Sequence, residues 1–255
     1  MPCVASLEEL ERAAAGFAVT DLGLATEPPA LAAARQSLEQ SGFLMLGEIH
    51  GVAENPLVIR SLMQTFRLTS LALEWHDDLA PVTEAFLAGE TLADNPLLWF
   101  GDGRITAGHL AVLRERAAAG PLTLTLFGTT IDSRWSWSEH DEAMASRILS
   151  AVAPATGTLV VAGNAHTPTT RTDLGLPLGA HLARQRPGLR EIRISYGGGQ
   201  FYNMEPRQFR RRAIPRLRQV RLHQRRGHLV LHLPAATEAV VPQRPLPWPA
   251  GLQLG

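Results

Sequence analysis

Residues 42–51 read Gly42-Phe-Leu-Met-Leu-Gly47-Glu48-Ile-His50-Gly51. A short, unbroken apolar run closed by glycine fits a strand covered on both faces, the kind that builds parallel sheets. The strand is expected over Gly42–Leu46, ending at Gly47, with Glu48 and His50 just beyond its apolar part. Upstream, Ser6 with Glu9 three residues later opens a capped helix over 6–16. A second helix is expected over 29–40, with proline near its start. Downstream, helices are expected over 54–66, 81–88, 105–119, 140–152 and 178–186, and strands over 68–74, 122–127, 158–162 and 189–195. The order β-α-β-α-α-β-α-β-α-β predicts an α/β fold: a mostly parallel sheet flanked by helices, with right-handed crossovers.

The end of the chain reads differently. Residues 216–223 and 228–233 alternate apolar and polar across Gln224-Arg-Arg-Gly227, which predicts a C-terminal antiparallel hairpin at the sheet edge. Val241-Pro-Gln-Arg-Pro-Leu-Pro-Trp-Pro249 predicts an extended segment. One domain over 1–255 is expected, with a helical lead-in at 1–28 and a proline-rich tail at 234–255.

The 255 residues are 45% hydrophobic and 19% charged, the balance of a chain that folds around a core. No apolar run reaches the roughly 18 residues of a membrane span, and Met1-Pro-Cys-Val4 lacks the pattern of a signal peptide. A single cysteine, Cys3, fits a reducing cytoplasm, and it is expected to be a bystander in a frayed terminus. All 24 basic residues are arginine, which excludes a lysine Schiff base, a P-loop lysine and a lysine general base. Nine of them fall between Arg207 and Arg226, a window without acids, leaving 15 arginines against 24 acids, a net of −9, elsewhere. With only Phe209 beside Arg210-Arg-Arg212, the window reads as a solvated face neutralised by the acidic remainder or across a homodimer; nucleic acid and membrane are not expected partners.

In an open parallel sheet, ligands gather at the carboxyl ends of the strands. Those ends carry Glu48 and His50, then Glu74, then Asp132 and Arg134, then Asn164 and His166, and last Tyr196. Such convergence points to an enzyme site, with Asp132, Arg134, Asn164 and Tyr196 as candidate substrate contacts. In an extended Glu48-x-His50 the two side chains point the same way, so the carboxylate can fix the tautomer of the imidazole, or both can share a metal. The plainer reading of His50 is a buried ring bonded to a helix start. A carboxylate at Glu74, straight after an apolar run, requires a partner. No Gly-x-Ser-x-Gly elbow and no HExxH pair are present.

Gly47-Glu48-x-His50-Gly51, the strand end at Glu74, Asp141-Glu-Ala-Met144-Ala145 and Gly163-Asn164-Ala-His166 occur in that order across about residues 40–200. Together they resemble the erythromycin esterase-like and ChaN-like superfamily, which also includes TIKI-type metalloproteases. The resemblance implies an α/β fold whose site comprises Glu48, His50, Glu74 and His166, the same four serving as ligands if the chain depends on a metal. It adds Asp141, which precedes Met-Ala in the family's central helix, as a substrate-site residue. One residue separates Glu48 from His50, as in ChaN-like proteins, where erythromycin esterases usually carry two. The expected activity is a hydrolase or related acyl-transfer enzyme acting on an ester or amide bond of a small molecule or peptide, with His50 as general base. A divalent metal is the cofactor considered first. The alternative is a haem- or metal-binding ChaN-like protein without catalysis, for which Tyr196 and Tyr202 are the available phenols and any of nine histidines an available imidazole.

Overall fold

The computed structural model describes residues 3–129, 134–153, 157–209 and 219–244. In chain order the strands are β1 (Cys3–Val4), β2 (Ala25–Thr26), β3 (Phe43–Glu48), β4 (Ser70–His76), β5 (Thr123–Gly128), β6 (Thr158–Gly163), β7 (Glu191–Tyr196), β8 (Gln200–Asn203), β9 (Glu205–Gln208), β10 (Arg221–Arg225), β11 (His228–Leu233) and β12 (Val241–Pro242). The α-helices are α1 (Leu7–Ala15), α2 (Pro28–Ser41), α3 (Asn55–Phe66), α4 (Ala80–Leu87), α5 (Ala107–Ala119), α6 (Trp137–Ala151) and α7 (Leu178–Gln185). None of these helices is long and apolar enough to cross a membrane.

Eight strands form one sheet in the order β2-β10-β11-β7-β3-β6-β4-β5. From β11 to β5 every neighbouring pair is parallel, and β10–β11 is the antiparallel hairpin, with two-residue β2 beyond it. The run that opens the sequence reading becomes β3, buried along its whole length. Its side chains divide between two layers. Leu44 and Leu46 join a core with Leu10, Leu62 and Leu110 from α1, α3 and α5, while Phe43 and Met45 pack with Met144, Ile148 and Leu182 from α6 and α7. Burial on both faces is why the run is continuously apolar rather than alternating.

The topology sets the site. From β3 the chain crosses to β4, passing over the place later filled by β6, and from β6 it crosses back past β3 to β7. The carboxyl ends of β4, β6 and β3 therefore lie side by side at the point where the connections diverge, which is where ligands bind in open α/β sheets. Register makes this exact at one rung: Glu48 on β3 is opposite Gly163 on β6.

Three expectations change at the termini. Cys3 does not fray: Cys3 and Val4 pair in parallel with Val241 and Pro242, and the Gln243 N–H donates to the Val4 carbonyl at 2.9 Å. The lead-in contributes an edge strand as well as a helix, since Ala25 and Thr26 pair with β10. The proline-rich tail enters as a strand through β12, and residues 245–255 lie outside the described residues.

Candidate active site

Glu48 ends β3, only 3% exposed, and its Oε1 lies 3.0 Å from His50 Nδ1. The turn between them is clamped from behind. The Ile49 N–H donates to the Tyr196 hydroxyl at 3.0 Å, that hydroxyl donates to Asn55 Oδ1 at 2.9 Å, and Asn55 Nδ2 donates to the Ile49 carbonyl at 2.8 Å. Gly51 then turns sharply, with φ +77°, so close to the Tyr202 backbone that a Cβ would overlap the Tyr202 carbonyl. Only glycine fits that crossing.

Glu74, on β4, is 4% exposed and holds the centre. Its Oε2 accepts the Gly163 N–H at 2.7 Å and lies 3.8 Å from His50 Nε2. Its Oε1 lies 3.8 Å from His166 Nε2 and 3.3 Å from Arg104 Nη1. Arg104 is itself tied to Asp102 Oδ2 through Nε at 2.6 Å. His166 sits in the turn after β6, its Nδ1 2.8 Å from Oδ1 of the fully buried Asp141 on α6. Asp141 Oδ2 accepts the Leu178 N–H at the start of α7 at 2.7 Å.

The result is a near-symmetric arrangement. Two imidazoles each turn Nδ1 to their own carboxylate, Glu48 or Asp141, and each turns Nε2 toward a different oxygen of Glu74. Gly163 lies between them: a Cβ there would stand 3.0 Å from His50 Nε2, 3.5 Å from Glu74 Oε2 and 3.6 Å from His166 Cδ2. The cleft beside this centre is lined by Glu48, His50, Glu74, Trp75, Arg104 and His109.

Electrostatics follow from the charges. Burial works against ionising Glu74, but the Arg104 guanidinium, the two histidines and the Gly163 N–H outweigh it and hold the carboxyl down at about 2. For His50, burial favours the neutral ring, yet the hydrogen bond to Glu48 and the charge of Glu74 overcome it and raise the pKa. His166 is raised in the same way, burial being outweighed by Glu74 and Asp141. His109, buried beside Trp75 and bonded to Thr106, is pushed by burial down to about 4 and stays neutral.

The other sequence candidates sit elsewhere. Tyr196 is buried and spends its hydroxyl on Ile49 and Asn55, so it supports the Glu48–His50 turn from behind. Asp141 is sealed beneath His166 and orients it. Asn164 is exposed, and its N–H ties the end of β6 to the Glu48 carbonyl at 2.8 Å. Arg134 is exposed in the turn before α6, and Asp132 lies outside the described residues. Sequence reasoning passed over Arg104, Trp137 and His140. Trp137 stacks on His166 with ring centroids 4.4 Å apart, and His140 Nδ1 lies 3.5 Å from Asp141 Oδ1. The signal was present: Trp137, His140 and Asp141 are spaced i, i+3, i+4, one helix face.

Glu48 meets the Nδ1 edge of His50 and Glu74 the Nε2 edge, so the four strand-end residues do not form one metal cage. Among the described residues, the groups that could hold an ion, with one donor atom per residue all within 4.8 Å, are His140–Asp141–His166 and His76–Asp77–Asp78. Neither phenol suits haem. Burial raises Tyr196 well above the ordinary range and Tyr202 to about 12, and the Tyr202 hydroxyl donates to Gln243.

No protein-family model matches the chain, and no curated protein matches it in sequence. Solved structures do. A Bacillus cereus protein of known crystal structure superposes on 94% of this chain and 100% of its own length, with TM-score 0.57 and 10% identity. A bacterial protein toxin aligns over 80% of this chain with TM-score 0.44 and 18% identity, and the chain spans 41% of that toxin. The type III effector HopBA1 aligns over 77% of this chain and 88% of its own, with TM-score 0.44 and 13% identity. For the Bacillus cereus protein, at 10% identity, the similarity is one of fold.

Proposed function

We propose that the chain is a hydrolase, or a related acyl-transfer enzyme, acting on an ester or amide bond, as the resemblance to the erythromycin esterase-like and ChaN-like superfamily implies. The observation that carries the reading is the pair of imidazoles oriented through Nδ1 by separate carboxylates, with both Nε2 atoms turned toward Glu74. Neutral His50 donates Nδ1–H to Glu48, which leaves the Nε2 lone pair to take a proton from water. The hydroxide adds to the carbonyl carbon. His166, protonated and anchored on Asp141, offers Nε2–H to the oxyanion. His50 then returns its proton to the leaving alcohol or amine as the carbon–heteroatom bond breaks. Glu74, ionised throughout, is the counter-charge that keeps both rings basic.

The experiment is turnover of p-nitrophenyl esters and p-nitroanilide peptides by wild type, His50→Ala and His166→Ala. We expect His50→Ala to lose about 10²–10⁴-fold while keeping the native circular dichroism spectrum. The wild-type rate should rise with pH as His50 becomes neutral and fall as His166 loses its proton. Wild-type turnover by His50→Ala overturns the general-base role.

A second reading is favoured by the compact His140–Asp141–His166 group: binding of a metal without catalysis. Metal analysis of the purified protein, with absorbance before and after haem addition, separates it from hydrolysis.

A further inference from the structure

We propose that His109 is a further catalytic residue: fixed by Thr106 as its Nε2–H tautomer, it donates a hydrogen bond to the water that His50 deprotonates. The role rests on the reading of His50 as general base. Thr106 is the N-cap of α5 and is fully buried, and His109 stands three residues on, where a side chain can fold back toward the cap. The Thr106 hydroxyl oxygen accepts the His109 N–H at 3.1 Å. Its own hydrogen then has His109 Nδ1, 2.9 Å away, as acceptor. A buried hydroxyl without an acceptor is costly, so Nδ1 carries the lone pair and Nε2 the hydrogen. Burial, which His50 reinforces and Glu48 opposes, pushes the pKa of His109 down to about 4, and the first turn of a helix disfavours a cation. The neutral ring is therefore a donor at Nε2.

Among the described residues Nε2 makes no hydrogen bond, yet it is not a sealed nitrogen as His140 Nε2 is. His109 lines the cleft with Glu48, His50, Glu74 and Arg104, and the cavity there measures about 10 Å³. One water fills roughly 10–15 Å³ and needs about two to four polar partners. Acceptors are at hand in His50 Nε2 and in Glu48 Oε2, a buried oxygen that no described residue hydrogen-bonds. On the donor side, Arg104 is spent on Asp102 and Glu74, which leaves His109. Trp75 packs against its ring at 82° between planes and donates its indole N–H to the Arg104 carbonyl at 2.9 Å, tying the start of α5 to β4. In the reaction His50 Nε2 takes a proton from the water, and the hydroxide uses a lone pair to form the bond to the carbonyl carbon. His109 keeps its hydrogen and stabilises the negative charge as it develops on that oxygen.

The test is a crystal structure of the protein without substrate, with the His109 tautomer read at pH 7 from long-range ¹H–¹⁵N correlation spectra. We expect a water within about 3.2 Å of both His50 Nε2 and His109 Nε2, and the Nε2–H pattern for His109. Thr106→Ser should keep that tautomer and Thr106→Val should lose it. On p-nitrophenyl acetate, His109→Leu should lose roughly 10- to 100-fold in kcat with KM changed by no more than about twofold. The proposal is overturned by the Nδ1–H tautomer in wild type, by no water touching both nitrogens, or by a metal ion in its place. Wild-type kcat in a folded His109→Leu overturns it as well. If that variant does not fold, the water and the tautomer of the wild type decide alone. Turnover without such a water would sink this role and spare the hydrolase reading. Inactivity on every ester and amide, with water and tautomer as expected, would sink the hydrolase reading and leave the water site standing.

Discussion

Single residues decide how the centre responds to acid. Glu74 is depressed from an ordinary 4.5 to about 2, because Arg104, His166, His50 and the Gly163 N–H all favour its ionised form against burial. A group whose folded pKa is depressed contributes stability above its unfolded pKa and loses it as pH falls through the folded value. The contribution of Glu74 is therefore complete above about 4.5, declines between 4.5 and 2, and is gone below. Comparing urea unfolding of wild type and Glu74→Gln at several pH values isolates it. The stability gap between them should narrow as pH drops through that window. A gap that stays constant from neutral to strongly acidic pH would mean that Glu74 is not held ionised by these partners. The same carboxylate explains why two buried histidines stay basic here while His109, facing no comparable pair of acids, is pushed down to about 4.

At the scale of elements, β6 ends in the one residue type that leaves room. Gly163 donates to Glu74 through its backbone and offers no Cβ to the gap between His50 and His166. Gly163→Ala would place a methyl 3.0 Å from His50 Nε2, tighter than ordinary contact, so the imidazole must move by a few tenths of an ångström. We expect a loss of roughly 10- to 100-fold in turnover, because small displacements of a catalytic group are expensive. The melting temperature should fall by only a few degrees, since the strand interior is untouched. Full activity in this variant would mean that the gap is not where reaction occurs. Apolar periodicity made β3 to β7 and the seven helices of the described residues legible, with boundaries shifted by at most three residues. Strand β9 was not legible: Glu205-Pro-Arg-Gln208 is exposed throughout and lacks alternation. Its hairpin with β8 is fastened by backbone contacts that no side-chain pattern encodes, such as the Tyr202 N–H to the Gly51 carbonyl at 3.0 Å. The carboxyl-end rule picked out Glu48, His50, Glu74 and His166 because they follow strands directly. Arg104 arrives from a loop and Trp137 from a helix start, so only tertiary packing reveals them.

Over the whole molecule the charge is balanced but unevenly placed, nine arginines between 207 and 226 against a remainder at −9. Two of the window's four described arginines pair with acids of this chain. Arg221 meets Glu27 ahead of α2, and Arg207 lies 3.2 Å from Glu205 on its own strand, β9. Arg210, Arg211, Arg212, Arg216 and Arg218 lie outside the described residues. Exposed pairs of this sort contribute at most about 1 kcal/mol each, so they bear on association more than on folding. A groove built for nucleic acid would interleave aromatics to stack bases, and Phe209 instead packs on Tyr196 and Phe201, with centroids 4.8 and 4.7 Å away. We therefore expect the arginines to be neutralised by this chain's own acids, within one copy or between two. Gel shifts with DNA and RNA at low salt should give no discrete complex. A dimer held by these charges would elute later at high salt, and internal pairing would leave the elution volume unchanged. Tight nucleic-acid binding whose affinity falls steeply with salt, at constant elution volume, would show counterion release from a phosphate backbone and overturn the assignment.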